Sequence, residues 1–211
     1  MRGLYAIVDV TTLSRRQLSV LEVAGAIARA RPAALQLRAK DLAPRETLQL
    51  LRAIHPMCRE SGVPLYANDR PDLAMLAGCE GVHVGQGDLP VHVVRRIAPM
   101  LRIGVSTHTL SEVERAIADE PDYLAFGPVF ETGSKTEAES VVGIDALRAV
   151  AQRCPVPVVA IGGIDLERAP DVAQATHLGA AIAALLPEGV RDEDLAGITE
   201  RARALHAALA S

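Results

Sequence analysis

Aromatic residues are nearly missing from this chain of 211 residues: three tyrosines, two phenylalanines and no tryptophan. Its core must therefore be aliphatic, and 49% of the residues are apolar, mostly Ala, Val, Leu and Ile, as suits an α/β protein. Cysteine is equally sparse. Cys58, Cys79 and Cys154 are odd in number, isolated and without a CxxC pair, so neither a disulfide framework nor a zinc site is indicated. They read as small buried hydrophobes in a reducing compartment. There is no excess of positive charge: the formal net charge of −4 argues against nucleic acid, whose phosphates need a basic surface. Long hydrophobic runs are absent too. The longest, Leu178 to Leu186, is about half of what a membrane span requires, and no basic amphipathic helix or lipidation signal suggests a membrane surface. Met1-Arg2-Gly3 leads straight into Leu4-Tyr5-Ala6-Ile7-Val8, too short a start for a signal sequence. A cytoplasmic protein is expected. With no linker, low-complexity tract or charge block, residues 1–211 read as one domain.

What is present is alternation. Short β-branched runs are predicted at 4–8, 34–38, 63–67, 81–84, 101–105, 122–126, 157–161 and 177–183. Amphipathic segments fall near 18–30, 44–60, 71–78, 90–98, 110–119, 144–153 and 166–175, with a last helix near 192–209. Eight strands, each followed by a helix, is the count of a (β/α)8 TIM barrel. Several strands are apolar almost throughout, as parallel strands covered by helices should be. A doubly wound open sheet is the competitor, but no GxGxxG follows the first strand.

In such a barrel the chemistry sits at the carboxyl ends of the strands, and polar and glycine residues crowd those ends here. Gln36, Arg38 and Lys40 are spaced by two after the second strand, so an amide, a guanidinium and an ammonium can share one face. Two cations and an amide suit a phosphate or diphosphate; surface charges on a loop are the alternative. Asn68 and Asp69 end the third strand, and Gly85 to Asp88 follow the fourth. Neighbouring strands run about 4.8 Å apart, so the Asp69 and Asp88 carboxylates can meet over one cation, and two carboxylates plus substrate oxygens are how Mg²⁺ is usually held. The other reading is that each carboxylate caps the helix after it. Ser106 and His108 follow the fifth strand. Ser106 has no evident base beside it in sequence, which argues against a nucleophilic serine, and His83 reads as a hydrogen-bonded wall residue. Thr132, Ser134 and Lys135 lie in the longest strand-to-helix loop, which could close over a ligand. Gly162-Gly163 brings bare backbone to the seventh strand's end, where barrels often place a phosphate; a turn needing positive φ is compatible with that role. The inventory holds cations, a metal candidate and a glycine cradle with no convincing acid–base pair, which suits departure of a diphosphate by charge stabilisation.

Taken together, Gln36-Leu37-Arg38-Ala39-Lys40, Asn68-Asp69-Arg70-Pro71, Gly81-Val82-His83-Val84-Gly85-Gln86-Gly87-Asp88, Gly127-Pro128-Val129-Phe130 with Thr132 and Lys135, and Ala160-Ile161-Gly162-Gly163-Ile164 resemble the thiamine-phosphate synthase and thiazole tautomerase superfamily. The resemblance runs from about Leu4 to Leu186. It implies a transferase that joins a hydroxymethylpyrimidine diphosphate to a thiazole phosphate and releases pyrophosphate, by a dissociative substitution. By resemblance, Gln36, Arg38, Lys40, Asn68, Ser106 and Lys135 hold the pyrimidine diphosphate, with Arg38, Lys40, Ser106 and Lys135 taking part in catalysis. Asp69 and Asp88 look like the Mg²⁺ ligands, and Thr132, Ser134 and Gly163 would hold the thiazole phosphate. Where synthases carry a hydrophobic residue and a serine at the eighth strand's end, this chain has Ala183-Ala184, a loss of about 1.5–3 kcal/mol of hydrogen bonding to a charged group. The alternatives are a thiazole tautomerase, whose members have a histidine where Pro128 stands, and a non-catalytic binder of thiamine precursors. The oligomeric state is not fixed by the sequence, and a homo-oligomer is compatible with it.

Overall fold

The computed structural model of the chain describes residues 2–132, 140–176, 178–186 and 194–211. Eight parallel strands close into a barrel in sequence order: β1 (Gly3–Asp9), β2 (Ala34–Arg38), β3 (Leu65–Asn68), β4 (Gly81–Val84), β5 (Arg102–Thr107), β6 (Tyr123–Phe126), β7 (Val158–Ile161) and β8 (Leu178–Ala181). The sheet closes where β1 pairs with β8, Gly3 opposite Leu178 through Ala6 opposite Ala181. The (β/α)8 expectation holds. Among the described residues the helices are α1 (Val10–Arg15), α2 (Val20–Arg29), α3 (Pro44–Ser61), α4 (Pro71–Ala77), α5 (Val91–Ile97), α6 (Leu110–Ala118), α7 (Gly143–Arg153), α8 (Ala169–Ala175) and α9 (Leu195–Ala210). None of them is long and apolar enough to cross a membrane.

Three of the differences from the sequence reading have a clear local reason. The first connection holds two helices rather than one, because Asp9 caps α1: its Oδ1 accepts from the Thr12 amide at 2.8 Å and the Thr12 hydroxyl at 2.6 Å. β3 begins at Leu65 and not at 63, because the Val63 amide is taken by the Cys58 carbonyl at the end of α3. β8 ends at Ala181. Ile182 leaves extended geometry with ψ −74, and Ala183–Leu185 form a single 3-10 turn. Ala183 and Ala184 therefore stand beyond the strand rather than on its end.

Alternation along each strand sorts the core into two shells. Outward-facing Leu4, Val8, Leu35, Leu37, Val82, Ile103 and Leu124 are fully buried against the helix ring. Each such side chain stabilises the fold by roughly 1.5–3 kcal/mol. Inward-facing Tyr5, Tyr66 and Tyr123, the chain's three tyrosines, fill the lumen with ring centroids 5.7–5.8 Å apart. Tyr66 and Tyr123 find room because their register partners are Gly81 and Gly104, where a Cβ would overlap the phenol rings. This aromatic plug closes the lumen and leaves the mouth at the strands' carboxyl ends.

Candidate active site

The mouth is a cavity of about 610 Å³. The second strand's alternation works as its spacing requires: Gln36, Arg38 and Lys40 all line the cavity. Gln36 is only 2% exposed, so it does not point at solvent, and its Nε2 donates to Asn68 Oδ1 at 2.6 Å. Arg38 does not stand alone. Its guanidinium is ion-paired with Asp9, a buried residue at the tip of β1. Burial pushes the Asp9 carboxyl up, but hydrogen bonds from Thr12 and Arg38 outweigh it and hold the group below the usual carboxylate range. Asp9 thus joins α1 to the guanidinium. Lys40 Nζ lies 3.5 Å from Asp69 Oδ2.

Asp69 and Asp88 both line the cavity, near enough for the charge of one to act on the other. Burial, then the hydrogen bond and charge of Asp88, push the Asp69 carboxyl up to about 6, against the opposing pull of Lys40. Neither carboxylate caps a helix. No side chain caps α4, whose N-cap is Arg70, or α5, whose N-cap is Pro90; the Asp88 Oδ2 instead takes the Gly85 amide at 2.7 Å. Asp69 also holds a left-handed backbone, φ +63, a strained conformation for a residue with a side chain. Two acids kept together against repulsion, with backbone strain, are a donor set suited to a divalent cation. Among the described residues no group of three or more His, Cys, Asp or Glu could hold a metal, so a cation here would complete its shell with water or substrate oxygens.

On the far side of the closed barrel, four strands away, β6 to β8 present backbone rather than charge. Gly162 and Gly163 have φ +98 and +65, and a Cβ on Gly163 would meet Glu131 O at 2.5 Å and Phe130 Cβ at 2.8 Å. Here only glycine fits, because the Val129 and Phe130 amides donate to the Ile161 and Gly162 carbonyls and draw the two loops together. Arg168 braces this cradle. Its Nη1 donates to Gly163 O at 2.7 Å while its guanidinium stacks on the Phe130 ring, 5.0 Å from the centroid. Thr132, Gly163, Ala183 and Ala184 line the same wall. Ser134 and Lys135 lie outside the described residues.

Ser106 differs from its sequence reading. It has a neighbour able to act as a base: His83 Nε2 stands 2.8 Å from its Oγ. Sequence adjacency could not reveal this, because the two residues meet diagonally across β4 and β5, His83 being opposite Gly104. His83 remains the hydrogen-bonded wall residue its alternation indicates. His108 lines the cavity with its Nδ1 2.7 Å from Gly127 O, and Glu112, not singled out in the sequence, lines it while accepting from the His108 amide at 2.7 Å. Asp9 carries a signal in the sequence, a charged residue at a strand's end; Glu112 and Arg168, inside α6 and just before α8, carry none of that kind.

The chain is similar to known proteins in both sequence and fold. A family model described as thiamine monophosphate synthase matches residues 4–186. A thiamine-phosphate synthase of Chloroflexus aurantiacus is 39% identical over 171 residues, covering 81% of this chain and 78% of the relative. One from a Roseiflexus species is 37% identical over 98% of this chain and 85% of its own length. Among solved structures, a thiamine phosphate pyrophosphorylase from Pyrococcus furiosus superposes with a TM-score of 0.85 at 29% identity, covering 98% of this chain and 95% of that one.

Proposed function

The chain belongs to the thiamine monophosphate synthase family, and we propose that it joins a hydroxymethylpyrimidine diphosphate to a thiazole phosphate, forming thiamine phosphate and releasing pyrophosphate. One observation carries the assignment of sides. A charged wall built from β2 to β4 faces a glycine-rich, uncharged wall from β6 to β8 across one cavity. The diphosphate belongs on the first and the monophosphate on the second, which sets the pyrimidine methylene carbon and the thiazole nitrogen facing each other between them.

Charge balance supports a metal on the diphosphate side. Among the described residues, the cavity's cations Arg38 and Lys40 are outnumbered by Asp69, Asp88 and Glu112, with Asp9 already paired to Arg38. Such a wall repels a diphosphate unless a cation intervenes. Asp69 and Asp88 would hold Mg²⁺, which supplies charge neutralisation to the departing diphosphate. The chain's own groups do the rest. Arg38 and Lys40 take phosphate oxygens, Gln36 and Asn68 fix the ring's position, and Ser106 contacts the substrate beside them. The Gly162–Gly163 cradle holds the second substrate's phosphate, with Thr132 beside it and the 3-10 turn at Ala183 and Ala184 giving contact without a hydroxyl. A thiazole nitrogen bearing no hydrogen needs no base, so catalysis is positioning and charge stabilisation.

The test is direct. Purified protein with both substrates and Mg²⁺ should release pyrophosphate and thiamine phosphate in equal amounts, and should release neither when one substrate is withheld. Aromatisation of the thiazole tautomer without pyrophosphate release would assign the chain to the isomerase branch instead.

A further inference from the structure

Four polar groups form an unbroken line from the barrel's plug to its mouth. Tyr5 Oη lies 2.8 Å from Tyr123 Oη, Tyr123 Oη lies 3.0 Å from His83 Nδ1, and His83 Nε2 lies 2.8 Å from Ser106 Oγ. Tyr5 and Tyr123 are 2% and 0% exposed and His83 is 8% exposed. The His83 ring also stacks on Tyr123 at an interplanar angle of 27°. The Ser106 end is the more open one, on the cavity wall where the pyrimidine diphosphate is placed above.

Such a line has two possible directions, and its inner end decides between them. Suppose Ser106 donates to His83. The Nδ1–H must then donate to Tyr123, Tyr123 to Tyr5, and the Tyr5 proton is left over, because Tyr5 Oη has no other hydrogen-bond partner among the described residues. A buried donor without an acceptor costs roughly 1–3 kcal/mol. In the opposite direction Tyr5 donates to Tyr123, Tyr123 to Nδ1, and Nε2–H to Ser106 Oγ, and every proton is used; only a lone pair on Tyr5 is left over, the cheaper deficit. Burial raises the pKa of both phenols well above the ordinary value, so both keep their protons.

We propose that His83 is a positioning residue held in its neutral Nε2–H tautomer by Tyr123 and Tyr5, so that Ser106 meets substrate as a hydrogen-bond donor. This rests on the synthase reading for the identity of the substrate, but not for the tautomer. It also separates the pair from a hydrolytic Ser–His couple, in which Nε2 must be free to take the serine proton. Ser106 then offers its proton to an acceptor atom, a ring nitrogen or a phosphate oxygen, on the substrate.

The experiment begins with ¹⁵N-histidine-labelled full-length protein without substrates, the His83 signals being those lost in His83→Gln. At neutral pH, Nε2 should be protonated and Nδ1 unprotonated. An Nδ1–H tautomer or an imidazolium would overturn the proposal whatever the protein's activity. The second arm is kinetic. His83→Leu and Ser106→Ala should each raise KM for the pyrimidine diphosphate or lower kcat by about tenfold, His83→Gln should recover part of the loss through its amide N–H, and the double variant should be no worse than Ser106→Ala. Full additivity of the two losses would refute the positioning role, and should His83→Leu fail to fold, the tautomer of the native protein still decides.

Discussion

Replacing Asp88 by asparagine should make the metal-free protein more stable at neutral pH, although it removes a charged group from the active site. The Asp69 carboxyl rises from 3.8 to about 6, by burial first and by the Asp88 carboxylate second. An acid with a raised folded-state pKa binds more protons folded than unfolded between those two values, so stability falls as pH rises through them. Worked through, the penalty from Asp69 grows from about 0.5 kcal/mol at pH 4 to roughly 3 kcal/mol at pH 7.5. The Asp69 side chain is 22% exposed, so solvent screening takes only a minor share of this. The substituted amide keeps an oxygen for the Gly85 N–H, which now reaches Asp88 at 2.7 Å, and removes only the neighbouring charge. Burial persists, so a part of the penalty, about 1–2 kcal/mol, should disappear at pH 7.5 and almost none at pH 4. Urea titration at both pH values reads this directly, and thermal melting should show a gain of about 2–8 °C at the higher pH alone. The same variant should lose the stabilisation that Mg²⁺ gives the native protein, expected to approach 2.7 kcal/mol at about a hundredfold excess over its dissociation constant. An Asp88→Asn protein destabilised equally at both pH values, and still stabilised by Mg²⁺, would refute the shared-carboxylate reasoning and the metal assignment with it.

Asp9→Asn keeps the α1 cap but uncouples Arg38. The Asp9 carboxyl is held below its ordinary value, so its contribution is present at neutral pH and disappears as pH falls through the folded-state value; the variant should be less stable at pH 7, equal to native in strong acid, and raise KM for the diphosphate about tenfold. Gly163→Ala puts a methyl group against Glu131 O at a φ of +65, and should raise KM for the thiazole phosphate more than about tenfold while leaving pyrophosphate binding by calorimetry unchanged. Gly104→Ala drives a methyl group into the Tyr123 ring and should lower the melting temperature by several degrees, for about 1–3 kcal/mol or more of overpacking strain.

Sequence periodicity located the strands because a parallel barrel strand is apolar on both faces and short, and it located the β2 and β3 tips because side chains there must alternate. Gln36, Arg38 and Lys40 line the cavity at alternate positions for that reason; Asp69 follows Asn68 directly and lines it from a left-handed residue past β3, and Asp88 from the loop after β4. Pairings between elements distant in sequence were out of reach. Asp9 meets Arg38 because β1 and β2 run in register, Asp9 opposite Arg38, a relation that no local pattern encodes. The 3-10 turn at Ala183 escaped as well, since an alanine-rich apolar run fits a strand continuing as readily as one that has stopped.

The tyrosines link these two kinds of information. A sequence with so few aromatics places three of them at inward positions of β1, β3 and β6, and sets glycine at the two register positions that must yield space. Those glycines carry no chemistry, yet they decide how deep the phenols sit. The depth of Tyr123 decides whether its hydroxyl reaches His83, and His83 in turn reaches Ser106. A methyl group at residue 104 would thus act on the mouth through three successive contacts. Its effect on kcat/KM should exceed that of an equally destabilising substitution in the outer shell, such as Val82→Ala, which lies outside the tyrosine cluster. Equal activity losses at equal stability would mean that the lumen supports the site only by keeping the barrel folded.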